Sequence, residues 1–567
     1  MSLAVIWPQL LDPFHSIALS ALVAVVPLAV VLILMGVLRR GGLLASTCGL
    51  LSAAALALTV WHMPLHLAVW SVVYGFVFAI WSILWIVFNA LWLYNLSVRE
   101  GSFDLLRKWI EQHASGDACI QAILVAFSFG ALLEGSAGFG APVAVTGFLL
   151  VGLGFEPIRA VVISLIANTA PVAFGALGVP IVALAGVTGI DLMKLSSMVG
   201  RQLPLLSFFL PAYLTLVVAG YAGLRRNWPA AMIGGSSFAA AQFLVSNIWG
   251  PFVTDIVAAL ASIAVLTAYL KLWKGAGVSS DGAAVATEPD KHPVYQHLSP
   301  GIGVSPVGAA VATEPDKHPV YQHLSPGAAV KAWLPWASLS VVMILWSYFK
   351  VSQRGQFPVA MGNLHNGVLI TLYQKPYAAS YLFQPLTGGS GVLVATVLTA
   401  LCFRIKPAVF VESGIKAARQ LATPGLTVLM IVGLAYLFNY SGMAYTIGAA
   451  VAGVGAVFPI VSSYLGWIAC FLSGSDTSSN LLFGNLQVAA AHNLHLSPVL
   501  LAATNSSGAV TGKMISPQNI AVGVTTVGLI GREGDVLRRT FWHSIILAGL
   551  LGLLAFAQAY WIPSMLP

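Results

Sequence analysis

Long uninterrupted apolar runs recur along this chain and restrict the folds that it can adopt. The run from Leu67 to Val98 is longer than one membrane span needs, and further apolar segments continue to the C-terminus. Charged residues make up only 8% of the 567 residues, whereas a soluble domain carries about 25%. Together with 58% hydrophobic residues and a mean hydropathy of +0.88, this composition excludes an ordinary soluble protein.

The same runs predict an all-α polytopic membrane protein. Inside lipid, only a helix or a closed barrel satisfies the backbone polar groups. A barrel alternates apolar and polar residues, and these continuous runs do not. With about 20 residues per span and short loops, the chain has room for about 12 to 15 transmembrane segments. We therefore expect a carrier, a channel or a membrane enzyme.

The net charge of +8 does not indicate a nucleic-acid partner, because the cations stand singly or in pairs at the ends of apolar runs. Cytoplasmic flanks of membrane spans explain such cations. The cysteines lack CxxC spacing, so they predict neither a disulfide framework nor a metal site. We expect no cofactor. The four cysteines are Cys48, Cys119, Cys402 and Cys470.

A polar, proline-rich stretch separates two apolar parts of the chain. It contains a 20-residue sequence, GAAVATEPDKHPVYQHLSPG, at Gly282 to Gly301 and again at Gly308 to Gly327. A perfect repeat is typical of a tandem duplication in a tolerant loop, and this reading is favoured over a histidine-rich metal tract. We predict a first membrane half at 1–274, a linker at 275–330 and a second membrane half at 331–567.

Each half contains one polar island within apolar sequence. The first, FSFGALLEGSAGFGAP, surrounds Glu134 with glycines, and Asn168 follows it by about 26 residues. The second, LSGSDTSSN, surrounds Asp476 with hydroxyl groups, and Asn505 follows it by about 25 residues. Interrupted apolar segments at matching places in two halves indicate broken helices or re-entrant hairpins around a central site. We therefore predict a central site that both halves form.

These islands predict an anion site. An ionisable group at the centre of a membrane helix costs about 2.5–3.5 kcal/mol, so Glu134, Asp476 and Lys513 need partners or water. A helix that breaks at a glycine presents free N–H groups and a positive dipole end to an anion. We predict that Glu134 and Asp476 couple protons. The predicted substrate-binding residues are Gly135, Ser136, Gly138, Gly140, Asn168, Thr169, Ser475, Thr477, Ser478, Ser479, Asn480, Asn505, Lys513 and Gln518.

Structural explanations compete with this prediction at single residues. Glycine and serine in membrane helices also permit close helix packing. Glu134 could be a protonated residue that bonds to a neighbouring helix, and Asp476 could cap a half-helix. Arg201 and Asp191 are expected at the membrane interface, and Asp255, four residues after Pro251, is expected at the end of a span. Packing alone does not call for the carboxylates of the islands.

Five ordered motifs resemble the bacterial lactate permease family. They are EGSAGFGAPVAV, NTAPVAFGALGVPI, TGID with MVGRQLP, SGSDTSSN and TGKMISPQ. The likeness covers about Trp70 to Trp273 and about Leu421 to the C-terminus. It implies a secondary transporter of the bacterial inner membrane that takes up L-lactate, D-lactate and glycolate with protons. The resemblance also implies, more remotely, a transporter built from two inverted halves with hairpins.

We hypothesise that a lactate-type anion binds between the two islands. Its carboxylate would face N–H groups of the hairpins, three hydroxyl side chains and Lys513, and its 2-hydroxyl would meet Asn168, Asn480 or Asn505. The three hydroxyl residues are Ser475, Thr477 and Ser478. A low-dielectric surrounding favours the neutral form of a carboxyl group, which lets Glu134 or Asp476 carry the proton. Glu134 is favoured, because its neighbours are more apolar.

Two other functions compete with this hypothesis. A sodium-coupled carboxylate transporter or a cation antiporter would use Glu134 and Asp476 as ion ligands, with the hydroxyl and amide groups of the islands as further ligands. A membrane enzyme would need a nucleophile with a base. The sequence lacks GxSxG and HExxH, and its histidines outside the linker lie mostly at turns. We therefore predict that the protein is not an enzyme.

Overall fold

The computed structural model of the chain describes residues 6–34, 38, 40–113, 117–136, 138, 140–272, 324–371, 375–377, 379–529 and 532–567. Nearly all of these residues lie in helices, as the apolar runs predict. Large apolar side chains such as Leu22, Leu51 and Trp228 remain more than half exposed on the outer faces. Exposed apolar surface on this scale suits contact with lipid. The predicted all-α polytopic class is confirmed.

The part of the chain before the predicted linker forms thirteen helices within the described residues. Two π-helical segments, Ala79–Leu84 and Ala122–Phe129, continue α4 into α5 and α7 into α8. The helices are α1 (Ile17–Ala24), α2 (Val26–Leu32), α3 (Gly42–Thr59), α4 (Leu65–Phe78), α5 (Trp85–Arg99), α6 (Ser102–His113), α7 (Ala118–Gln121), α8 (Gly130–Ser136), α9 (Ala141–Gly152), α10 (Pro157–Ala167), α11 (Gly175–Thr188), α12 (Leu192–Ile248) and α13 (Thr254–Leu272).

The part after the predicted linker contributes nine more helices to the described structure. They are α14 (Pro326–Tyr348), α15 (Gly388–Cys402), α16 (Pro407–Ser441), α17 (Met443–Val451), α18 (Phe458–Ser473), α19 (Asp476–Asn493), α20 (Pro498–Lys513), α21 (Pro517–Thr526) and α22 (Glu533–Tyr560). Helices of the two parts pack against each other: α16 lies against α3, α4 and α5, α19 against α11, and α20 against α12. The core therefore runs across both parts.

The number of spans is lower than the predicted 12 to 15. Among the described residues, nine helical segments are long and apolar enough to cross a membrane, or ten when the bent pair Pro157–Ala167 and Val172–Thr188 counts as one span. The 57-residue α12 passes the test once, although its backbone leaves helical geometry at Ala219 and Gly220. Several segments that the prediction counted as spans are the short or polar helices around the islands.

Five short strands lie outside the helices in the part of the chain that the structure describes. The strands are β1 (Trp7–Pro8), β2 (Phe357–Ala360), β3 (Val368–Ile370), β4 (Lys375–Pro376) and β5 (Ser380–Phe383). They form a three-stranded sheet in the order β1–β3–β4 and a two-stranded sheet of β2 and β5. The N-terminal strand β1 pairs in parallel with β3. Next to it, the Gln9 side chain donates hydrogen bonds of 2.9 Å to the carbonyls of Asn439 and Tyr440 at the end of α16. These two bonds satisfy carbonyl groups in the last turn of α16, which lack partners within the helix.

Glycines bring α18 and α20 into backbone contact. A Cβ atom on Gly508 would lie 2.1 Å from the Ser463 carbonyl oxygen, and one on Gly512 would lie 2.3 Å from that of Trp467. On the facing helix, a Cβ on Gly466 would lie 2.0 Å from the Asn505 carbonyl oxygen. Small residues four positions apart permit this close packing in membranes. The contact fixes α20, which carries Asn505 and Lys513.

Two predictions about organisation remain predictions. The duplicated sequence lies almost wholly at 273–323, outside the described residues, so the linker at 275–330 and the boundaries of the two halves are not tested. The inverted relation of the halves is likewise not shown. Broken helices, by contrast, are present: the two parts of the pair that meets at 167–172 are bent by 67°.

Candidate functional site

Helix breaks from four places in the sequence meet in the centre of the protein. They separate α8 from α9, interrupt α11 near its start, separate α12 from α13, and separate α18 from α19. Glycines with positive φ occupy each break, since side chains disfavour that conformation. These glycines are Gly138 and Gly140, Gly178, Gly250 and Gly474.

Close contacts hold the breaks together. A Cβ atom on Gly138 would lie 3.1 Å from the Cβ of Ala176, and one on Gly178 would lie 2.7 Å from that of Pro251. The Asn480 side chain on α19 donates a 3.1 Å hydrogen bond to the Pro180 carbonyl on α11. The segments on which the polar islands lie are therefore neighbours in space.

A buried ion pair joins the two islands. The Lys513 ammonium on α20 lies 2.6 Å from Glu134 Oε1 on α8, although 379 residues separate them in sequence. Glu134 is 3% exposed and Lys513 is 7% exposed. The Asn168 amide at the end of α10 donates a 3.1 Å hydrogen bond to the second oxygen, Oε2. A charged group buried in lipid requires such a partner, because an uncompensated charge is costly there.

The carboxylate of Glu134 fits only because the facing residue is a glycine. A Cβ atom on Gly175 would lie 2.6 Å from Glu134 Oε1. Gly175 precedes three residues of α11 with left-handed backbone, Ala176, Leu177 and Gly178. The break in α11 thus provides the space next to the ion pair.

Asp476 lies in a different setting, at the start of α19. Its Oδ2 accepts a 2.8 Å hydrogen bond from the Ser506 hydroxyl, and Oδ1 has no hydrogen-bond partner among the described residues. Ser475 precedes it as the N-cap and accepts a hydrogen bond from the backbone N–H of Ser478. The helix N-terminus favours negative charge at this position. Asp476 is 3% exposed and forms no ion pair within the described structure.

Side-chain amides extend the polar region from Asp476. The Asn505 amide donates to Asn480 Oδ1 at 3.0 Å, and the Gln487 amide donates to Asn505 Oδ1 at 3.1 Å. Asn480 also donates to the Ser506 hydroxyl at 3.1 Å. A buried network with most of its bonds satisfied makes its surroundings rigid. This network therefore fixes α19 and α20 relative to each other.

A narrow space adjoins the ion pair. Its polar wall contains Lys513, Asn168 and Asn519, and it has no room for a water-sized sphere. The rest of its lining is apolar: Val143, Leu165, Val172, Val510 and Met514. The site is closed in this structure, so a ligand requires movement of these side chains or of the helices that carry them.

Sequence similarity to known proteins identifies the family of this chain. The sequence profile of the L-lactate permease family matches residues 20–562. The chain belongs to the L-lactate permease family. It is therefore a multi-pass membrane transporter and not an enzyme, as the motifs predict.

Similar proteins match this permease along their whole length. Glycolate permease GlcA of Escherichia coli (strain K12) is 41% identical, and the alignment covers 99% of this chain and 100% of GlcA. L-lactate permeases of Salmonella typhimurium and Bacillus subtilis are 38% and 39% identical with the same coverage. Among solved structures, the YdaH transporter of Alcanivorax borkumensis aligns over 86% of this chain and 87% of its own at 14% identity, with a TM-score of 0.43.

The structure brings part of the predicted binding set of this permease together. Glu134, Asn168 and Lys513 are in direct contact, and Asp476, Asn480 and Asn505 form a second group that includes Ser479. The Asn505 amide donates to the Ser479 hydroxyl at 3.4 Å. The two groups lie on either side of α11, whose Gly175 packs against Glu134 and whose Pro180 carbonyl accepts from Asn480.

Other predicted residues lie at the edge of this region or are engaged elsewhere. The hydroxyls of Ser136 and Thr169 donate to carbonyls in their own helical turns. Thr477 is partly exposed, and Gln518 is exposed beside Gly474. The remaining predicted glycines pack against other side chains. Gly135 lies against Asp255. A Cβ atom on Gly140 would lie 3.6 Å from the side chains of Asn519 and Val522.

Several residues of the central region were not among the predicted site residues, among them Asn519, Ser506, Gln487 and Asp255. Ser506 belongs to the Asn-Ser-Ser-Gly string, so a signal for it existed. Gln487 lies on the same helix as Asp476 without any motif of its own. Asp255 was expected at the end of a span, and it is indeed the second residue of α13, but this helix start is buried in the protein interior, where Asp255 is 1% exposed.

No metal centre is apparent in the part of the chain that the structure describes. Groups of three or more histidine, cysteine, aspartate or glutamate residues that could hold a metal ion are absent there. The four linker histidines that raised the question lie outside the described residues: His292, His297, His318 and His323. The central region instead combines one ammonium group with carboxyl, amide and hydroxyl groups.

Proposed function

We propose that this chain is a proton-coupled permease that carries L-lactate and related 2-hydroxymonocarboxylates, D-lactate and glycolate, across the inner membrane of a bacterium. The names of its relatives, which are L-lactate and glycolate permeases, support the substrate class. The observation that carries the coupling is the buried ion pair between Glu134 and Lys513.

The ion pair links substrate binding to proton binding through charge. Lys513 is the cation against which a substrate carboxylate would bind, and Glu134 already occupies it at 2.6 Å. A substrate anion replaces Glu134 on Lys513 only when Glu134 takes up a proton, since two carboxylates on one ammonium would leave a buried negative charge. The site is neutral before and after this exchange. The proton and the anion therefore cross the membrane together.

Asn168 is the residue best suited to the 2-hydroxyl group. Its amide donates to Glu134, and its own Oδ1 is buried with no hydrogen-bond partner among the described residues. That oxygen can accept a hydrogen bond from a substrate hydroxyl. Asn480 and Asn505, the other predicted partners, already bond to each other at 3.0 Å. The apolar lining by Val143, Leu165, Val172, Val510 and Met514 suits the methyl group of lactate and tolerates its absence in glycolate.

Asp476 is the second candidate for the proton carrier. It is 3% exposed, and its Oδ1 has no hydrogen-bond partner among the described residues. We favour Glu134, because among the described acids it is the one that pairs with Lys513. In this proposal Asp476 remains bonded to Ser506 and positions α19.

The decisive experiment replaces Glu134 by glutamine. In the unmodified protein, lactate binds more weakly as the pH rises, because ionised Glu134 then occupies Lys513. In Glu134→Gln, we expect binding that does not depend on pH, no accumulation driven by a pH gradient, and retained exchange of labelled lactate in proteoliposomes. Calorimetry on purified protein and uptake assays measure these quantities.

A matched control is Glu156→Gln, which changes a half-exposed acid that pairs with Arg539 at 3.6 Å. This variant should behave like the unmodified protein. Accumulation of lactate by Glu134→Gln along a pH gradient would show that Glu134 is not the carrier. Uptake that stops in sodium-free buffer would instead favour the sodium-coupled alternative.

A further inference from the structure

Asp255 is a buried acid that the proposed exchange at Lys513 does not use. It is the second residue of α13 and is 1% exposed. Neither of its carboxyl oxygens has a hydrogen-bond partner within the described residues. A buried carboxyl group without donors is unusual, because most buried polar atoms in proteins are hydrogen-bonded. The position therefore requires an explanation.

The side chain of Asp255 packs against the helix turn that carries Glu134. Gly135, the residue after Glu134, lies so close to Asp255 that a Cβ atom on the glycine would lie 2.8 Å from the Asp255 Cβ. Helices α13 and α8 are in contact at this point. Asp255 thus approaches the segment of the ion pair from a third element, next to a residue with no side chain.

The side-chain amide of Gln242 on α12 interacts with Asp255, but its hydrogen bonds go elsewhere: it donates to the Ala170 carbonyl at 3.1 Å and accepts from the Ser207 hydroxyl at 2.8 Å. Within the described residues, Asp255 forms no ion pair and accepts no hydrogen bond. An ionised carboxylate in such a setting is costly in a low dielectric. The neutral form, which carries a proton that it can give up, is consistent with these surroundings.

Other acids at helix starts in this chain behave differently. Asp117 accepts from the backbone N–H groups of Cys119 and Ile120 at the start of α7. Asp191 accepts from the N–H of Lys194 at the start of α12. These two side chains cap their helices. Asp255 makes no such bond, so helix capping does not account for it.

We propose that Asp255 is a proton-transfer residue that delivers the proton to Glu134, an inference that rests on the proposed function. The Asp255 carboxyl group gives its proton to the Glu134 carboxylate, directly or through one water molecule. Glu134 becomes neutral and releases Lys513 to the substrate carboxylate, while Asp255 becomes ionised. Asp255 then regains a proton from water, and the sequence runs in reverse when the substrate leaves.

The test is the ratio of net uptake to exchange in proteoliposomes. Net uptake requires proton delivery in every cycle, whereas exchange of labelled for unlabelled lactate proceeds with Glu134 protonated throughout. For Asp255→Asn we expect net uptake driven by a pH gradient to fall at least about tenfold. Exchange should stay within about twofold of the unmodified protein, and lactate binding should retain its dependence on pH.

The matched control is Asp191→Asn, which makes the same change at an exposed helix start and should leave the ratio unchanged. Asp255→Glu keeps a carboxyl group and should keep the ratio within about threefold. If Asp255→Asn does not fold, Asp255→Ser takes its place with the same tenfold expectation, because the ratio does not depend on the amount of folded protein.

Two outcomes overturn the inference. An unchanged ratio in Asp255→Asn shows that no proton passes through this residue, and an equal loss of net uptake and exchange shows that its role is structural. Both are distinct from failure of the proposed function. That failure appears as pH-dependent lactate binding or proton-driven accumulation in Glu134→Gln, whatever the result at Asp255.

Discussion

The surroundings of Glu134 and of Asp476 differ, although each is the single acid of a polar island. Glu134 contacts an ammonium group from the other part of the chain and has an apolar space beside it. Within the described residues, the carboxyl group of Asp476 accepts its hydrogen bond from a neutral hydroxyl, that of Ser506, which adjoins a network of amides. Glu134 pairs with a cation that an anionic ligand could also bind, whereas Asp476 belongs to a rigid hydrogen-bond network.

This difference suggests a division of labour. A pair that opens when a proton arrives needs a cation that a substrate carboxylate can bind in place of the acid, and in the proposed mechanism Lys513 is that cation. A frame needs hydrogen bonds that persist, and the bonds among Asn480, Asn505 and Gln487 meet it. Similar sequence patterns in the two halves thus support different roles. The following predictions test that division.

The largest effect is expected for Lys513→Met. The change removes the ammonium group that, in the proposed mechanism, would bind the substrate carboxylate, so lactate affinity should fall by about 10- to 100-fold, as expected for loss of a charged hydrogen bond. Calorimetry on purified protein measures this. Lys194→Met, which removes an exposed lysine, is the control. An unchanged affinity in Lys513→Met would remove Lys513 from the site.

A smaller effect is expected for Ser506→Ala. The substitution leaves Asp476 Oδ2 without its 2.8 Å hydrogen bond, and an unsatisfied buried acceptor costs about 1–3 kcal/mol. The free energy of unfolding should fall by that amount, while lactate binding keeps its pH dependence. Thermal unfolding with and without lactate measures both. Loss of the pH dependence would contradict the assignment of this region as a frame.

For Asp476→Asn, we expect a weaker effect on transport. Asparagine keeps an oxygen that can accept from Ser506, so proton-driven uptake should remain within about threefold of the unmodified rate. Uptake and exchange in proteoliposomes distinguish the two acids. If this variant loses accumulation but keeps exchange, Asp476 is the carrier, and the division of labour is reversed.

The smallest effect is expected for Gln518→Ala. Gln518 was predicted to bind substrate, but its side chain is exposed beside Gly474. An exposed substitution changes stability by no more than about 0.5 kcal/mol. Uptake and affinity should both be unchanged. A clear loss of affinity would show that the central region extends to Gly474 when the protein opens.

Part of this arrangement could be predicted from the sequence. Apolar runs specify membrane helices because lipid leaves the backbone no other solution, and acids within such runs indicate a site because they are costly there. Glu134, Asp476 and Lys513 could be selected on that ground alone. Five motifs were also sufficient to indicate the family. The helix breaks could be predicted from the glycines, because glycine adopts backbone conformations that end a helix.

Other features depend on assembly and could not be predicted. Nothing local to Glu134 or Lys513 indicates that they pair with each other across 379 positions. Asp255 has the sequence context of an interfacial residue, and the packing of α13 against α12 and α8 buries it. The lengths of several helices also depend on assembly. Apolar stretches around the islands form short or bent helices, and their lengths follow from their neighbours.

The wide separation of Glu134 and Lys513 along the chain also bears on biosynthesis. The ribosome completes the segment around Glu134 long before it reaches Lys513. During that interval the newly inserted first part holds an acid in lipid with no counter-charge. A truncated product therefore keeps a polar defect that only the finished chain repairs, which gives quality-control proteases a physical basis for distinguishing incomplete molecules from mature ones.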